Sequence, residues 1–170
     1  MGLLLRQVGS LADAEVSFRQ SLTLSPDFAE GHNNLGVTLK DSGKLIEAEK
    51  SYKKALSCRY NFPEAHNNLG DVLREIGRLQ EAEVSLRLAI EMDVNLAEAH
   101  NNLGSMLQAI GRSREAESSY RTALSLKPGL VEASYNLATL LYEIREFEEA
   151  TQIFEMLNYK HSQTYLLRCL

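Results

Sequence analysis

The stretch Glu64-Ala65-His66-Asn67-Asn68-Leu69-Gly70 recurs along the chain at one fixed distance. It appears at residues 30–36 with glycine in place of the alanine, and again unchanged at residues 98–104. A weaker copy, Glu-Ala-Ser-Tyr-Asn-Leu-Ala, fills residues 132–138, so that the copies follow one another with a constant 34-residue period. A constant period without insertions predicts identical structural units that stack on one another.

Each 34-residue unit carries the pattern of two helices. The pattern predicts a first helix from about Ala29 to Asp41 and a second from about Leu45 to Cys58, with Gly43 ending the first. The turn glycine recurs at Gly9, Gly77 and Gly111. A small residue recurs at one register of the second helix, as Ala14, Ala48, Ala82, Ala116 and Ala150. Small residues are expected there because the two helices approach each other closely.

The spacing His32-x2-Leu35-Gly36-x2-Leu39, followed by Ala48-x3-Tyr52, resembles the tetratricopeptide signature. Pro26 and Pro128 occupy the terminal proline of that signature. The resemblance implies an all-α fold, a right-handed solenoid of antiparallel helix pairs. We expect one array over residues 1–170: a partial repeat at 1–28, full repeats at 29–62, 63–96, 97–130 and 131–164, and the start of a further helix at 165–170.

In tetratricopeptide structures the first helix of each pair lines a concave groove. The sixth position of every full unit is asparagine, and we call this series the asparagine ladder: Asn34, Asn68, Asn102 and Asn136. The fifth position adds Asn33, Asn67 and Asn101. A side-chain amide both donates and accepts hydrogen bonds, so the ladder could hold the main chain of an extended peptide. It is similar to the ladder in the repeat arm of O-linked N-acetylglucosamine transferases. The alternative is that these asparagines bond neighbouring first helices within the scaffold.

Two further features bear on groove binding. Tyr135 and Tyr142 stand seven residues apart and therefore on one face of the last first helix, where they could anchor a peptide side chain. Their alternative explanation is sequence divergence near the end of the array. A clamp for a C-terminal carboxylate, known in chaperone-binding relatives, is rejected because its basic positions hold Asn or acids. The repeated acids are Glu30, Glu64, Glu98 and Glu132.

Other function classes are disfavoured by composition. A net charge of −5 argues against a nucleic-acid phosphate track, and no apolar run is long enough to insert into a membrane. Cys58 and Cys169 form no metal or disulfide motif, and His32, His66 and His100 lie on separate units, which predicts packing roles. We expect no catalytic residues, metal or cofactor, and a soluble, reducing, cytoplasmic setting.

The sequence thus predicts a protein-interaction scaffold that binds an extended peptide or a partner surface in its groove. One alternative is the substrate-recruiting arm of a larger enzyme resembling the O-linked N-acetylglucosamine transferases. Another is self-association through the apolar C-terminal end, Tyr165-Leu166-Leu167-Arg168-Cys169-Leu170. These alternatives remain open from the sequence.

Overall fold

A computed structural model describes Gly2 and residues 10–168, with only the backbone described for residues 159–168. The described part is all-α and contains no strand. Its helices are α1 Leu11–Leu24, α2 Ala29–Asp41, α3 Leu45–Cys58, α4 Pro63–Glu75, α5 Leu79–Met92, α6 Ala97–Ala109, α7 Ser113–Leu126, α8 Val131–Glu143 and α9 Phe147–Arg168. The bounds expected for α2 and α3 are confirmed.

A left-handed residue closes the first helix of each pair. The φ values of Gly43, Gly77 and Gly111 are 75°, 83° and 76°. Glycine adopts such values without a steric penalty. The chain then turns so that the N–H of Lys44 donates to the carbonyl of Leu39 over 2.8 Å. The Gly9 turn lies outside the described residues. The last pair makes the same turn with Arg145, whose φ is 71°.

Within a pair, a helical glycine meets a large side chain of the second helix. A Cβ atom added at Gly36 would lie 2.5 Å from the Tyr52 ring, and one added at Gly104 would lie 2.6 Å from the Tyr120 ring. Both tyrosines are buried. The recurrent alanines of the second helices, including Ala48 and Ala116, have no exposed surface. These positions therefore fix how closely the two helices of a pair can approach.

The helices form two compact units, one ending at Val94 and the other beginning at Asn95. In the first unit, α2 packs on α1, α3 and α4, and α4 packs on α3 and α5. A small apolar cluster of Ala29, Ala55, Phe62 and Ala65 joins α3 to its neighbours. In the second unit, α8 packs on α6, α7 and α9, and α6 packs on α7. That all repeats form a single array stays a prediction.

The last helix departs from the expected boundaries. The repeat pattern predicts a repeat that ends at residue 164 and a new helix from Tyr165, but α9 runs without a break from Phe147 to Arg168. It has 22 residues, whereas α3, α5 and α7 have 14 each. Earlier inter-repeat turns carry Asp27, Asn61, Asn95 or Gly129 where this segment has Gln163. Glutamine favours helix over turn, so the terminating signal is missing.

The turn at Arg145 gives a stability prediction. A left-handed conformation costs a non-glycine residue about 1–2 kcal/mol, and glycine avoids that cost. Glycine also has more conformational entropy in the unfolded chain, which offsets part of the gain. Arg145→Gly should therefore raise the free energy of unfolding by about 0.5–1 kcal/mol. Urea unfolding followed by circular dichroism measures the change. The matched control is the reverse substitution Gly111→Arg, which should destabilise by a similar amount. An unchanged or lower midpoint for Arg145→Gly would contradict the strain at this turn.

Candidate functional site

The asparagines of neighbouring first helices are bonded to each other in the same way in both units. In the first unit, Nδ2 of Asn68 donates to Oδ1 of Asn33 over 3.0 Å. In the second unit, Nδ2 of Asn136 donates to Oδ1 of Asn101 over 3.0 Å. It also lies 3.4 Å from Oγ of Ser105. Asn68 and Asn136 of the asparagine ladder therefore bond neighbouring first helices within the scaffold. That the ladder also contacts a peptide stays a prediction.

The exposure of the asparagines separates two groups. Asn101 is 2% exposed and Asn67 is 7% exposed, so neither offers much surface to a ligand. Asn34, Asn68, Asn102 and Asn136 are all half-buried. Asn67 and Asn102 also have interaction partners. The Asn34 side chain forms no hydrogen bond among the described residues, and neither does Oδ1 of Asn68 or of Asn136.

In the first unit an ion cluster lies beside this asparagine pair. Nζ of Lys40 bonds to a carboxylate oxygen of Asp71 and lies 3.2 Å from Oε1 of Glu75. Nη2 of Arg74 lies 2.8 Å from the other oxygen of Asp71. Burial would raise the pKa of Asp71, but the Lys40 ammonium and the Arg74 guanidinium outweigh it, so the pKa is lowered. The charges of the cluster are thus balanced within the protein.

The corresponding positions of the second unit hold a largely uncharged network instead. The Tyr120 hydroxyl donates to Oε1 of Gln108 over 2.9 Å, and Nε2 of Gln108 donates to Oε2 of Glu143 over 2.7 Å. Glu143 is the one carboxylate in this chain of bonds. Gln108 and Glu143 correspond to Lys40 and Glu75, so this register carries an ion pair in the first unit and an amide–carboxylate hydrogen bond in the second.

Tyr135 and Tyr142 lie on the surface of α8, with 58% and 62% of their areas exposed. Each ring meets a phenylalanine of α9 edge-on: Tyr135 with Phe154 at 5.8 Å and Tyr142 with Phe147 at 5.2 Å between ring centres. These contacts restrict the rings without covering them. Their accessibility agrees with an anchor role, which stays a prediction.

The repeated acids have partners that sequence reasoning missed. Oε1 of Glu30 lies 2.7 Å from Nη2 of Arg59, and Oε1 of Glu98 lies 2.6 Å from Nζ of Lys127. Each base lies just past the end of the second helix of its 34-residue repeat. Because Arg59 and Lys127 occupy the same position of the repeat, the period could have revealed the pairs. Among the described residues, Glu132 forms no ion pair.

The recurring histidines take different positions. Nε2 of His32 contacts the carbonyl oxygen of Pro26 at 2.8 Å. His66 is 5% exposed and meets Tyr60 edge-on, and neither of its buried ring nitrogens has a well-formed hydrogen bond within the described part. Burial lowers the pKa of His66, and a weaker contact with the backbone of Tyr60 offsets only part of that effect.

Comparison with known proteins identifies the repeats. Family models described as tetratricopeptide repeat match residues 33–59, 64–129 and 107–166. The chain belongs to the tetratricopeptide repeat family. Proteins of this family are generally non-catalytic interaction scaffolds. No helix in the described residues of this tetratricopeptide protein is both long and apolar enough to cross a membrane.

Solved structures with the same fold span nearly the whole chain. A structure of MamA is 25% identical, with a TM-score of 0.77 over 97% of this chain and 96% of that one. PilF of Pseudomonas aeruginosa is 27% identical, with a TM-score of 0.83 over 93% of this chain and 72% of that one. YrrB, described as a TPR protein with an unusual peptide-binding site, is 23% identical, with a TM-score of 0.68 over 99% and 89%. No curated protein matches in sequence.

The paired asparagines give a test of the scaffold bond. Asn136→Ala should lower the free energy of unfolding by about 1–3 kcal/mol, because it leaves the buried Oδ1 of Asn101 without this donor. Asn34→Ala is the matched control and should cost no more than about 0.5 kcal/mol, since its side chain is bonded to no described residue. Urea unfolding of both variants measures the two losses in the free energy of unfolding. Equal losses would contradict a structural role specific to Asn136.

The buried imidazole gives a pH prediction. Because the folded-state pKa of His66 is lowered, the unfolded chain binds its proton first as the pH falls below the ordinary histidine value of about 6.5. Stability attributed to neutral His66 is therefore complete above that pH and is lost as the pH falls toward the folded-state pKa. His66→Phe should lose less thermal stability between pH 7 and pH 5 than the wild type does. The control is His32→Phe, which changes the same position of another repeat and retains His66, so it should lose as much thermal stability between pH 7 and pH 5 as the wild type. If the wild type and His66→Phe lose equal thermal stability over this pH range, His66 is not the group responsible.

Proposed function

We propose that this chain is an interaction scaffold that binds extended peptide segments through the exposed side of its first helices. The observation that carries the proposal is the bonding of Asn68 and Asn136. Each side chain is held by its Nδ2 hydrogen bond, while Oδ1 accepts no hydrogen bond from a described residue. A fixed amide oxygen on a half-buried surface is suited to accept a main-chain N–H of a bound peptide.

The expected binding is tolerant of sequence and weak for a single site. Every residue except proline offers the same main-chain N–H, so these contacts do not distinguish side chains. A hydrogen bond contributes about 0.5–1.5 kcal/mol net, and ordering a flexible peptide offsets much of that. Partners that engage several repeats at once would therefore be favoured over short ligands.

The two asparagines of one pair separate ligand contact from scaffold stability. Asn33→Ala removes the acceptor of the scaffold bond but leaves Oδ1 of Asn68 in place, whereas Asn68→Ala removes both. Twelve-residue peptides selected on the wild type from a random display library serve as probes, with fluorescence anisotropy as the readout. Asn68→Ala should bind about 2–13-fold more weakly than Asn33→Ala, the equivalent of one hydrogen bond.

Control substitutions and the contrary outcome are defined in the same assay. Asn61→Ala changes an exposed asparagine in the turn before α4 and should leave affinity unchanged. Asn34→Ala, which breaks no described hydrogen bond, should weaken binding without loss of stability. If Asn33→Ala and Asn68→Ala bind the selected peptides equally, Asn68 serves the scaffold alone and the proposal fails.

A narrower form of the proposal makes the chain the substrate-recruiting arm of a larger enzyme resembling the O-linked N-acetylglucosamine transferases. The recurrence of asparagine at the ladder position supports this form. It requires a glycosyltransferase domain in the same polypeptide. Sequencing the open reading frame on both sides of residues 1–170 tests it, and flanking regions without such a domain would remove it.

Self-association through the C-terminal end is a separate proposal. The backbone of α9 is described as far as Arg168, while Cys169 and Leu170 lie outside the described residues, as do the side chains from Tyr165 onward. The apolar composition of this segment supports the proposal. Light scattering over a concentration series tests it, and a constant monomer mass at the highest concentration would exclude it.

A further inference from the structure

One side of α8 combines acids with exposed aromatic rings. Glu132, Tyr135, Tyr142 and Glu143 follow one another at intervals of three, seven and one residues, which places them within one broad stripe of the helix. All four are exposed. We call this set the α8 face. It lies entirely within the second unit.

The protein itself indicates what binds an acid at the register of Glu132. Its counterparts Glu30 and Glu98 are met by the cationic groups of Arg59 and Lys127 at 2.7 Å and 2.6 Å. Glu132 has no such partner among the described residues. A Lys or Arg head group at this carboxylate would therefore repeat a contact that the fold already makes twice.

The tyrosines add a second attraction for the same chemistry. An arginine or lysine side chain is attracted to the face of an aromatic ring, and more than half of each tyrosine stays exposed beside its T-shaped contact with a phenylalanine of α9. Glu143 accepts a hydrogen bond at Oε2 from Gln108, and its Oε1 accepts none from a described residue. Glu132 and Tyr135 are three residues apart and so are neighbours on the helix surface, whereas Tyr142 and Glu143 are consecutive and border the face about 100° apart around the axis.

The surrounding charge favours a basic partner as well. Residues 131–168, which hold α8 and α9, contain six glutamates against three basic residues, Arg145, Lys160 and Arg168. Of the six, Glu149 is paired with Arg121. The excess of negative charge on this pair of helices would attract a cationic segment and repel an acidic one.

We propose that the α8 face binds two basic side chains of an extended partner segment, with each cation over a tyrosine ring and paired with the adjacent glutamate. This inference rests on the proposed peptide binding and specifies the chemistry of the peptide. Tyr135 and Tyr142 are separated by seven helical residues, about 10 Å along the axis. In a polyproline-II segment, residues three apart lie on one side at about 9 Å. The favoured pattern is therefore a pair of arginines or lysines three residues apart.

Two labelled peptides test this pattern by fluorescence anisotropy. Both are twelve residues long and alternate proline with serine, so that the serines supply main-chain N–H groups; one carries two arginines three residues apart and the other has glutamine at both positions. The wild type should bind the arginine peptide about tenfold more tightly than the glutamine peptide. This ratio should fall at high salt, because the attraction between exposed charges is screened.

Substitutions on the α8 face should remove the preference for arginine. Tyr135→Ala with Tyr142→Ala, and separately Glu132→Gln with Glu143→Gln, should each bring the affinity ratio of the two peptides close to one. Glu64→Gln is the matched control, since Glu64 occupies the register of Glu132 but is followed by Asn67 at the position of Tyr135, and it should leave the ratio unchanged. Circular dichroism confirms that each variant is folded.

The asparagine variants separate this inference from the peptide-binding proposal. Asn136→Ala should weaken both peptides by the same factor relative to Asn101→Ala, which removes the partner of the same bond within the second unit, and leave their ratio unaltered. If both peptides bind the wild type equally, yet Asn136→Ala weakens them relative to Asn101→Ala, peptide binding stands and the α8 inference is overturned. An arginine preference that survives the tyrosine and glutamate substitutions also overturns it, as does a wild type that binds neither peptide.

Discussion

Close packing between a helical glycine and a bulky side chain of the next helix is the contact on which the rest of the structure depends. At Gly36 and Gly104 there is no room for a Cβ atom, because the rings of Tyr52 and Tyr120 occupy that space. The tyrosines are buried in return. This contact sets the distance and the rotation of one helix against the other, and with them the direction in which every other side chain of the first helix points.

The polar residues of the first helices follow from that fixed rotation. Once α2 and α4 are held at one angle, the asparagines at the fifth and sixth positions meet across the helices, and α6 and α8 repeat the same bond. Because the bond uses Nδ2 of one residue and Oδ1 of the other, it orients the amides as well as joining the helices. An amide with a structural task on one side and an accepting oxygen on the other can serve both stability and binding.

The same register carries different chemistry in the two units. The first unit has a balanced cluster of Lys40, Asp71, Arg74 and Glu75, in which the cations lower the pKa of Asp71 against the effect of burial. In the second unit, Tyr120, Gln108 and Glu143 form a chain of hydrogen bonds, and α8 adds exposed tyrosines. Nearly identical repeats can thus present different surfaces, since only the buried contacts require the period.

The sequence alone determined the helical pairs, the turns at Gly43, Gly77 and Gly111 and the close-packed alanines. These features follow from local spacing that recurs in every 34-residue repeat. It also placed Tyr135 and Tyr142 on one side of a helix. Only the tertiary structure decided which asparagine amides bond to each other and that Asn101 is buried. It also extended α9 to Arg168, where the repeat pattern predicts a new helix. The reason is that a repeat pattern specifies faces and spacing, whereas pairing and burial depend on which neighbouring side chain arrives within hydrogen-bond distance after the helices have packed.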